Sequence, residues 1–178
     1  IGTEFVARAP ADGYTLLVTA TSLVTNAAIN KGLRFDPEKS FMPVSLVATF
    51  ALVLLVPGDS TDTLESILET ARRRPRSVTY GSIGAGSPQH LAGEYLASQS
   101  KTLLVHVPYK GSGQAIQDVL AGQVQVFITT PPSVMGHVLN GKLKALAVTG
   151  KSRHPQLPQV PTVAEAGLPQ FELESWVA

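Results

Sequence analysis

The chain has 178 residues and no cysteine, with Lys+Arg 14 against Asp+Glu 13 and only 15% of residues charged. That length holds one hydrophobic core or one and part of another, and a formal charge of +1 removes the driving term for general phosphate-backbone binding. The missing cysteines exclude disulfides, thiolate metal sites and cysteine nucleophiles, and the longest apolar run, residues 50–56, falls far short of the ~20 residues that span a bilayer.

Residues 2–9 read as the end of a helix whose beginning lies outside the chain, with neither the basic region nor the apolar stretch of a signal peptide. After the Asp12-Gly13 turn, residues 14–20 predict a buried strand that ends in the hydroxyls Thr19, Thr21 and Ser22. A second apolar run, 44–56, predicts one long strand or two segments with a bend, stopped by Pro57-Gly58-Asp59. Leu64, Ile67, Leu68 and Ala71 share one face of the next helix, for which Asp62 and Glu65 offer a capping box. Arg72, Arg73 and Arg74 crowd its carboxyl end, where cations suit the helix dipole; a nucleic-acid patch is the competing reading, disfavoured on a neutral chain.

From there strand and helix alternate. Strands are expected at 78–80, 103–107, 124–128 and 143–148. Helices are expected at 88–99, with Leu91, Ala92, Tyr95 and Leu96 inward, and at 115–120 and 134–140. This rhythm predicts an α/β fold with a mostly parallel sheet covered by helices. Residues 151–161, with three prolines, cannot form regular helix. Residues 162–166 predict a short helix capped by Thr162 and stopped by Gly167, and 171–177 a final strand.

Ligands of open α/β sheets bind beyond the carboxyl ends of the strands. Those ends offer Thr19, Thr21 and Ser22; Ser82, Gly84, Ala85, Gly86 and Ser87; Tyr109 to Gly113; and Thr129 and Thr130. The set holds hydroxyls, glycines and one lysine, but no Asp or Glu, so it lacks the carboxylates of acid–base catalysis and of hard-metal sites. Hydroxyls and backbone N–H groups at a helix start suit an anion. The loop Gly81-Ser82-Ile83-Gly84-Ala85-Gly86-Ser87 fits this best, with a plain glycine-rich connection as the bland alternative. His90, in the first turn of the following helix, is a candidate ligand contact, whereas His106 reads as a packed strand residue and His137 and His154 as surface residues. Gln89 stands where the dinucleotide fingerprint needs its third glycine, and Lys110-Gly111-Ser112 lacks the upstream half of a phosphate loop. A serine hydrolase or transferase using Ser82 or Ser87 with His90 is the enzymatic alternative, although no G-x-S-x-G elbow and no carboxylate placed to orient a histidine can be read.

Four segments, in order and at family spacing, resemble the Bug, or TctC-like, extracytoplasmic solute receptors of tripartite tricarboxylate transporters. They are Ala11-Asp12-Gly13-Tyr14-Thr15-Leu16-Leu17; Tyr80 to Gly86 with His90-Leu91-Ala92-Gly93-Glu94; His106-Val107-Pro108-Tyr109-Lys110-Gly111; and Val160-Pro161-Thr162-Val163-Ala164-Glu165-Ala166-Gly167. The resemblance implies a type II periplasmic binding fold of two α/β lobes joined by crossing strands. Residues 1–56 and 149–178 would form a partial first lobe and 57–148 the second, with crossings near 44–56 and 143–148. It also implies a small carboxylate ligand held between the lobes, no catalysis, cofactor or metal, membrane transporter subunits as partners, and a periplasmic location. Family members begin with a further strand and a Pro/Gly-rich loop and continue past Ala178, so lobe one is expected to be incomplete here. Many relatives carry Asp or Asn where this chain has Thr129-Thr130, which shifts the expected ligand from amino acids towards simple carboxylic acids.

Overall fold

Five consecutive apolar residues, Leu52 to Val56, organise the fold, and each is essentially inaccessible to solvent. A strand alternates its side chains between two faces, so a continuous apolar run belongs where both faces are covered. In the computed structural model, which describes residues 2–178, this run is the strand β2 (Val53–Pro57) with the residue before it. It lies inside a five-stranded sheet ordered β4-β3-β5-β2-β6, with β3 at Thr79–Ser82, β4 at Val105–Pro108, β5 at Val126–Thr129 and β6 at Leu143–Val148.

Each sheet face has its own core. Leu52, Leu54 and Val56 pack with Leu64, Ile67, Leu68 and Ala71 of helix α3 (Leu64–Arg73) and with Ala92 and Leu96 of α4 (Pro88–Ser100). Val53 and Leu55 pack instead with Ala115, Ile116 and Val119 of α5 (Ser112–Leu120) and Val134 of α6 (Pro131–Leu139). The sheet is mixed rather than mostly parallel: β3 pairs parallel with β4 and β5, but β2 runs antiparallel to both β5 and β6. The reason is that β2 enters from the amino-terminal side and does not belong to the β3-α4-β4-α5-β5 series of crossovers.

A smaller two-stranded antiparallel sheet joins β1 (Ala48–Ala51) to β7 (Glu174–Val177). The run 44–56 is therefore two segments, and the chain passes between the sheets at Leu52. Thr149 clamps this passage: its buried Oγ1 accepts the Leu52 N–H at 2.8 Å, and its own N–H donates to the Leu52 carbonyl. Packing crosses the expected boundary at 148/149. Leu157 and Val160 are buried in one face cluster of the large sheet and Val163 and Phe171 in the other, so of residues 149–178 only the last few turn back to the small sheet.

Several local expectations are corrected. Residues 14–19 form no strand: Tyr14 is 93% exposed, Leu16 68% and Val18 74%, because only a backbone pair between Thr19 and Ala178 and a bridge from Ala20 to Val177 engage the segment. The helix at the start is α1 (Gly2–Arg8), and α2 (Ser22–Ile29) follows the exposed segment. Thr63 and Ser66, not Asp62 and Glu65, make the capping box of α3, since Thr63 is the residue that leaves helical geometry. Leu91 is exposed, while Ala92 and Leu96 are buried. Residues 162–167 form hydrogen-bonded turns rather than a helix, although Thr162 and Glu165 still exchange capping bonds. The arginine cluster is structural: Arg72 donates to the Ser100 carbonyl and Arg73 pairs with Glu69.

Candidate functional site

β3 is the point where the sheet changes direction, because the next strand in sequence, β4, lies on one side of it and β5 on the other. The crevice outside a switch point is where α/β sheets hold ligands. Two loops meet there, 82–87 after β3 and 129–131 after β5.

The first loop is tied from beneath. Ser82 is fully buried, and its Oγ lies 2.6 Å from His106 Nε2 and accepts the Gly84 N–H at 3.2 Å. Ser87 is the N-cap of α4: its Oγ accepts the His90 N–H and donates to the Gly84 carbonyl at 2.7 Å. Gly84 and Gly86 both have positive φ, 118° and 78°, which turn the loop back over the helix start. The Gly86 N–H donates to His90 Nδ1 at 3.1 Å, and its carbonyl accepts Thr25 Oγ1 at 2.7 Å. The backbone N–H groups of Ala85 and Gln89 have no partner among the described residues, and they flank the amino terminus of a 13-residue helix. Orphan donors at the positive end of a helix favour an anion.

His90, His106 and Tyr80 form a stack beneath this loop. Ring centroids of His90 and His106 are 4.0 Å apart, and those of His106 and Tyr80 5.1 Å apart. The Tyr80 hydroxyl donates to Glu94 Oε1 at 2.6 Å, and the same oxygen lies 3.9 Å from His90 Nε2. Burial, and then the neighbouring His90, hold His106 below the usual imidazole range, while Glu94 opposes them. Burial and the Glu94 hydrogen bond push the Tyr80 phenol far up.

The remaining expected residues are placed as follows. Thr129 is buried and its Oγ1 lies 3.0 Å from Ser133 Oγ; Thr130 stands at the N-cap position of α6 without a side-chain cap bond, and its carbonyl accepts Ser133 Oγ at 2.7 Å. Tyr109 donates its backbone N–H to the Ser82 carbonyl, while its ring packs over Gly81 and its hydroxyl donates to Asp118 at 2.8 Å. Thr21 lies 2.8 Å from Ser175 Oγ and accepts the Trp176 N–H, and Thr19 pairs with Ala178. Ser22 opens α2, and it is Thr25, Asn26 and Ile29 further along α2 that reach the loop at Gly86.

Two features escaped the sequence. Glu94 does stand beside His90, one helical turn on, and the i, i+4 spacing was the available signal. Gln89 is 3% exposed with its Oε1 unpaired, in the same first turn of α4. The pairing of Ser82 or Ser87 with the His90 ring is not formed: Ser82 meets His106, and Ser87 meets the His90 backbone. Two surface depressions, one bordered by Glu65, Arg72 and Glu165 and the other by Glu4, Phe5 and Arg8, share no residue with these loops.

A mixed sheet with an inserted antiparallel strand is the architecture this chain shares with solved periplasmic binding proteins. The chain belongs to the TctC family, the tripartite tricarboxylate transporter family receptors, whose family model matches residues 1–178. It is 42% identical over 178 residues to a UPF0065 protein in the tcbD-tcbE intergenic region of a Pseudomonas species, covering 99% of this chain and 53% of that protein. Protein BugT of Bordetella pertussis is 35% identical, over 100% of this chain and 56% of its own length. The chain thus spans about half the length of these curated relatives. Among solved structures it is similar to Rpa4515 of R. palustris with adipate (TM-score 0.89, 33% identity, 99% of this chain and 60% of that one). It is also similar to the periplasmic binding protein BugD (TM-score 0.85, 31% identity, 98% and 59%). A third is MatC of Rhodopseudomonas palustris with bound malate (TM-score 0.84, 28% identity, 99% and 60%). No helix among the described residues is long and apolar enough to cross a membrane.

Proposed function

We propose that the protein captures a small carboxylic acid in the crevice beside loops 82–87 and 129–131 and delivers it, in the periplasm, to the membrane subunits of a tripartite transporter. The observation that carries this reading is the pair of unpartnered N–H groups, at Ala85 and Gln89, on the amino end of α4. Ser87, Thr129 and Thr130 are hydroxyl residues of the two loops, and no carboxylate is among the loop residues. An incoming carboxylate would complete the orphan donors without burying a like charge. The adipate and malate held by two structural neighbours are of this chemical class.

In this reading the five-stranded sheet with its helices is one lobe, and α1, α2 and the β1–β7 sheet belong to the other. The passages at Leu52 and beyond Thr149 are the hinge. The contact of α2 with Gly86 is where the lobes meet above the ligand. Nothing in the reading requires catalysis, a metal or a cofactor.

Isothermal calorimetry of the intact protein against acetate, adipate, malate and citrate tests it. Saturable heat from at least one acid, reduced in a Ser87→Ala variant, is the expected result. No heat from any acid, with labelling of Ser82 by a serine-directed phosphonate, would replace it by the hydrolase reading.

A further inference from the structure

His90 sits at the ligand loop with most of its side chain engaged by neighbours. The side chain is 26% exposed, one face lies on His106, Nδ1 receives the Gly86 N–H, and Nε2 faces Glu94. An imidazole nitrogen that accepts a hydrogen bond carries no proton, so this contact exists only in the neutral Nε2–H tautomer. We propose that His90 is a positioning residue of the ligand loop, whose unprotonated Nδ1 fixes the Gly86 amide and so makes acid capture depend on a neutral imidazole. The proposal rests on the carboxylate reading.

The geometry gives the sign. Gly86 is the residue where the loop touches α2, since its carbonyl accepts Thr25 Oγ1 and Asn26 and Ile29 leave no room for a Cβ there. A proton added at Nδ1 sets two donors head to head, and the loop must turn away from both His90 and α2. A cation at His90 would by itself attract an anion, which is the opposing effect. Glu94 Oε1, 3.9 Å from Nε2, offsets that charge, whereas nothing replaces the lost acceptor. The groups that face the ring are accounted for on each element. His106 on β4 stacks on it, Tyr80 on β3 lies below His106 with its hydroxyl on Glu94, Glu94 is on α4 itself, and α2 carries no titratable side chain. Burial, and then the neighbouring His90, hold His106 below the usual imidazole range, which disfavours a second charge in the stack. Loss of the acceptor therefore outweighs the gain in charge, and acid binding weakens as the pH falls.

The test uses the intact protein, ¹⁵N-labelled, with the acid that gives the strongest calorimetric signal among adipate, malate and citrate. Without any acid, the Gly86 amide resonance is expected to move with the titration of the His90 ring, and to stay flat in His90→Asn, whose Oδ1 can take the place of Nδ1 but cannot titrate. Between about pH 7.5 and 5.5 the wild type is expected to lose about five- to tenfold in affinity, the worth of one hydrogen bond, and His90→Asn less than about twofold. His90→Ala is expected to bind weakly at both pH values, with His90→Asn recovering most of the loss at the higher one. Protonation of the acid itself is common to all variants and cancels in their ratios. A Gly86 amide that ignores His90, or the same pH profile in His90→Asn as in the wild type, overturns the positioning role while leaving acid binding intact. Coupling of Gly86 to His90 with no binding of any acid instead refutes the carboxylate reading, and with it the role in capture.

Discussion

Gly93→Ala is expected to destabilise the protein, although replacing a glycine inside a helix normally favours the opposite result. In α4 the substitution should gain about 1 kcal/mol from helix propensity. The added methyl, however, would stand 2.6 Å from Tyr80 Cδ2 and closer still to Cε2 and Cζ. The ring cannot step aside: it is buried, its hydroxyl is bonded to Glu94, and His106 is stacked on it. Relieving the contact needs a retreat of about 1 Å in a close-packed interior, and overpacking of this kind costs about 1–3 kcal/mol. With the ring immobile the cost belongs at or above the top of that range, which leaves a net loss of about 2 kcal/mol. Urea unfolding of the intact protein, followed by far-UV circular dichroism, measures it. A double-mutant cycle with Tyr80→Leu isolates the cause. Once the aromatic ring is gone, the propensity gain of about 1 kcal/mol should reappear, giving a coupling of about 3 kcal/mol between the two positions. Equal or greater stability of Gly93→Ala, or additivity in the cycle, would refute the argument.

Other substitutions probe different links. Thr149→Val keeps shape but removes the acceptor of the buried Leu52 N–H, so unfolding free energy should fall by about 1–3 kcal/mol, and an unchanged urea midpoint would show that the clamp contributes nothing. Ser87→Ala removes the cap of α4 and should cost about 1 kcal/mol in thermal or urea unfolding, besides its effect on acid binding. The Tyr109 phenol is pushed up to about 12, from a reference of 10.0, by burial and by its bond to Asp118. The stability linked to that group is complete below pH 10 and is lost as the pH rises towards 12. Tyr109→Phe should therefore show a shallower alkaline decline in melting temperature than the wild type, and parallel profiles would contradict the linkage.

The parts of the fold legible in the sequence were those whose burial is set by local pattern. β6 has the expected bounds, the apolar stripe of α3 faces inward as spaced, and the β–α alternation placed loops 82–87 and 109–113 and residues Thr129 and Thr130 at strand ends, whereas Thr19, Thr21 and Ser22 follow no strand. What escaped depends on partners distant in sequence. Residues 14–19 carry the apolar run of a buried strand, yet strand formation needs a neighbour to bond with, and here only Thr19 and Ala20 have one. The antiparallel course of β2 follows from which sheet the chain enters, and local propensity carries no such information. At the site, the loop sequence pointed to an anion, but the partners of its side chains did not follow from it. That Ser82 meets His106 requires β3 and β4 to be adjacent, and that Gly86 meets Thr25 requires α2 to fold back across some sixty residues. The Glu94–His90 proximity also went unread, although helical spacing alone gives it.

The interior place of β2, between β5 and β6, has a consequence for how the chain emerges during synthesis. Leu54 pairs with Ile128 on one side and Ala147 on the other, partners made about 70 and 90 residues later. At ordinary elongation rates the strand waits on the order of 5–20 s for its second neighbour. During that interval it offers an unbroken apolar segment of high β propensity to any other nascent copy, and no charge can be placed within it without entering a core. The protection against self-association lies at its end, where Pro57, Gly58 and Asp59 stop the segment from extending, so substitutions there should reduce soluble yield even where the mature fold tolerates them.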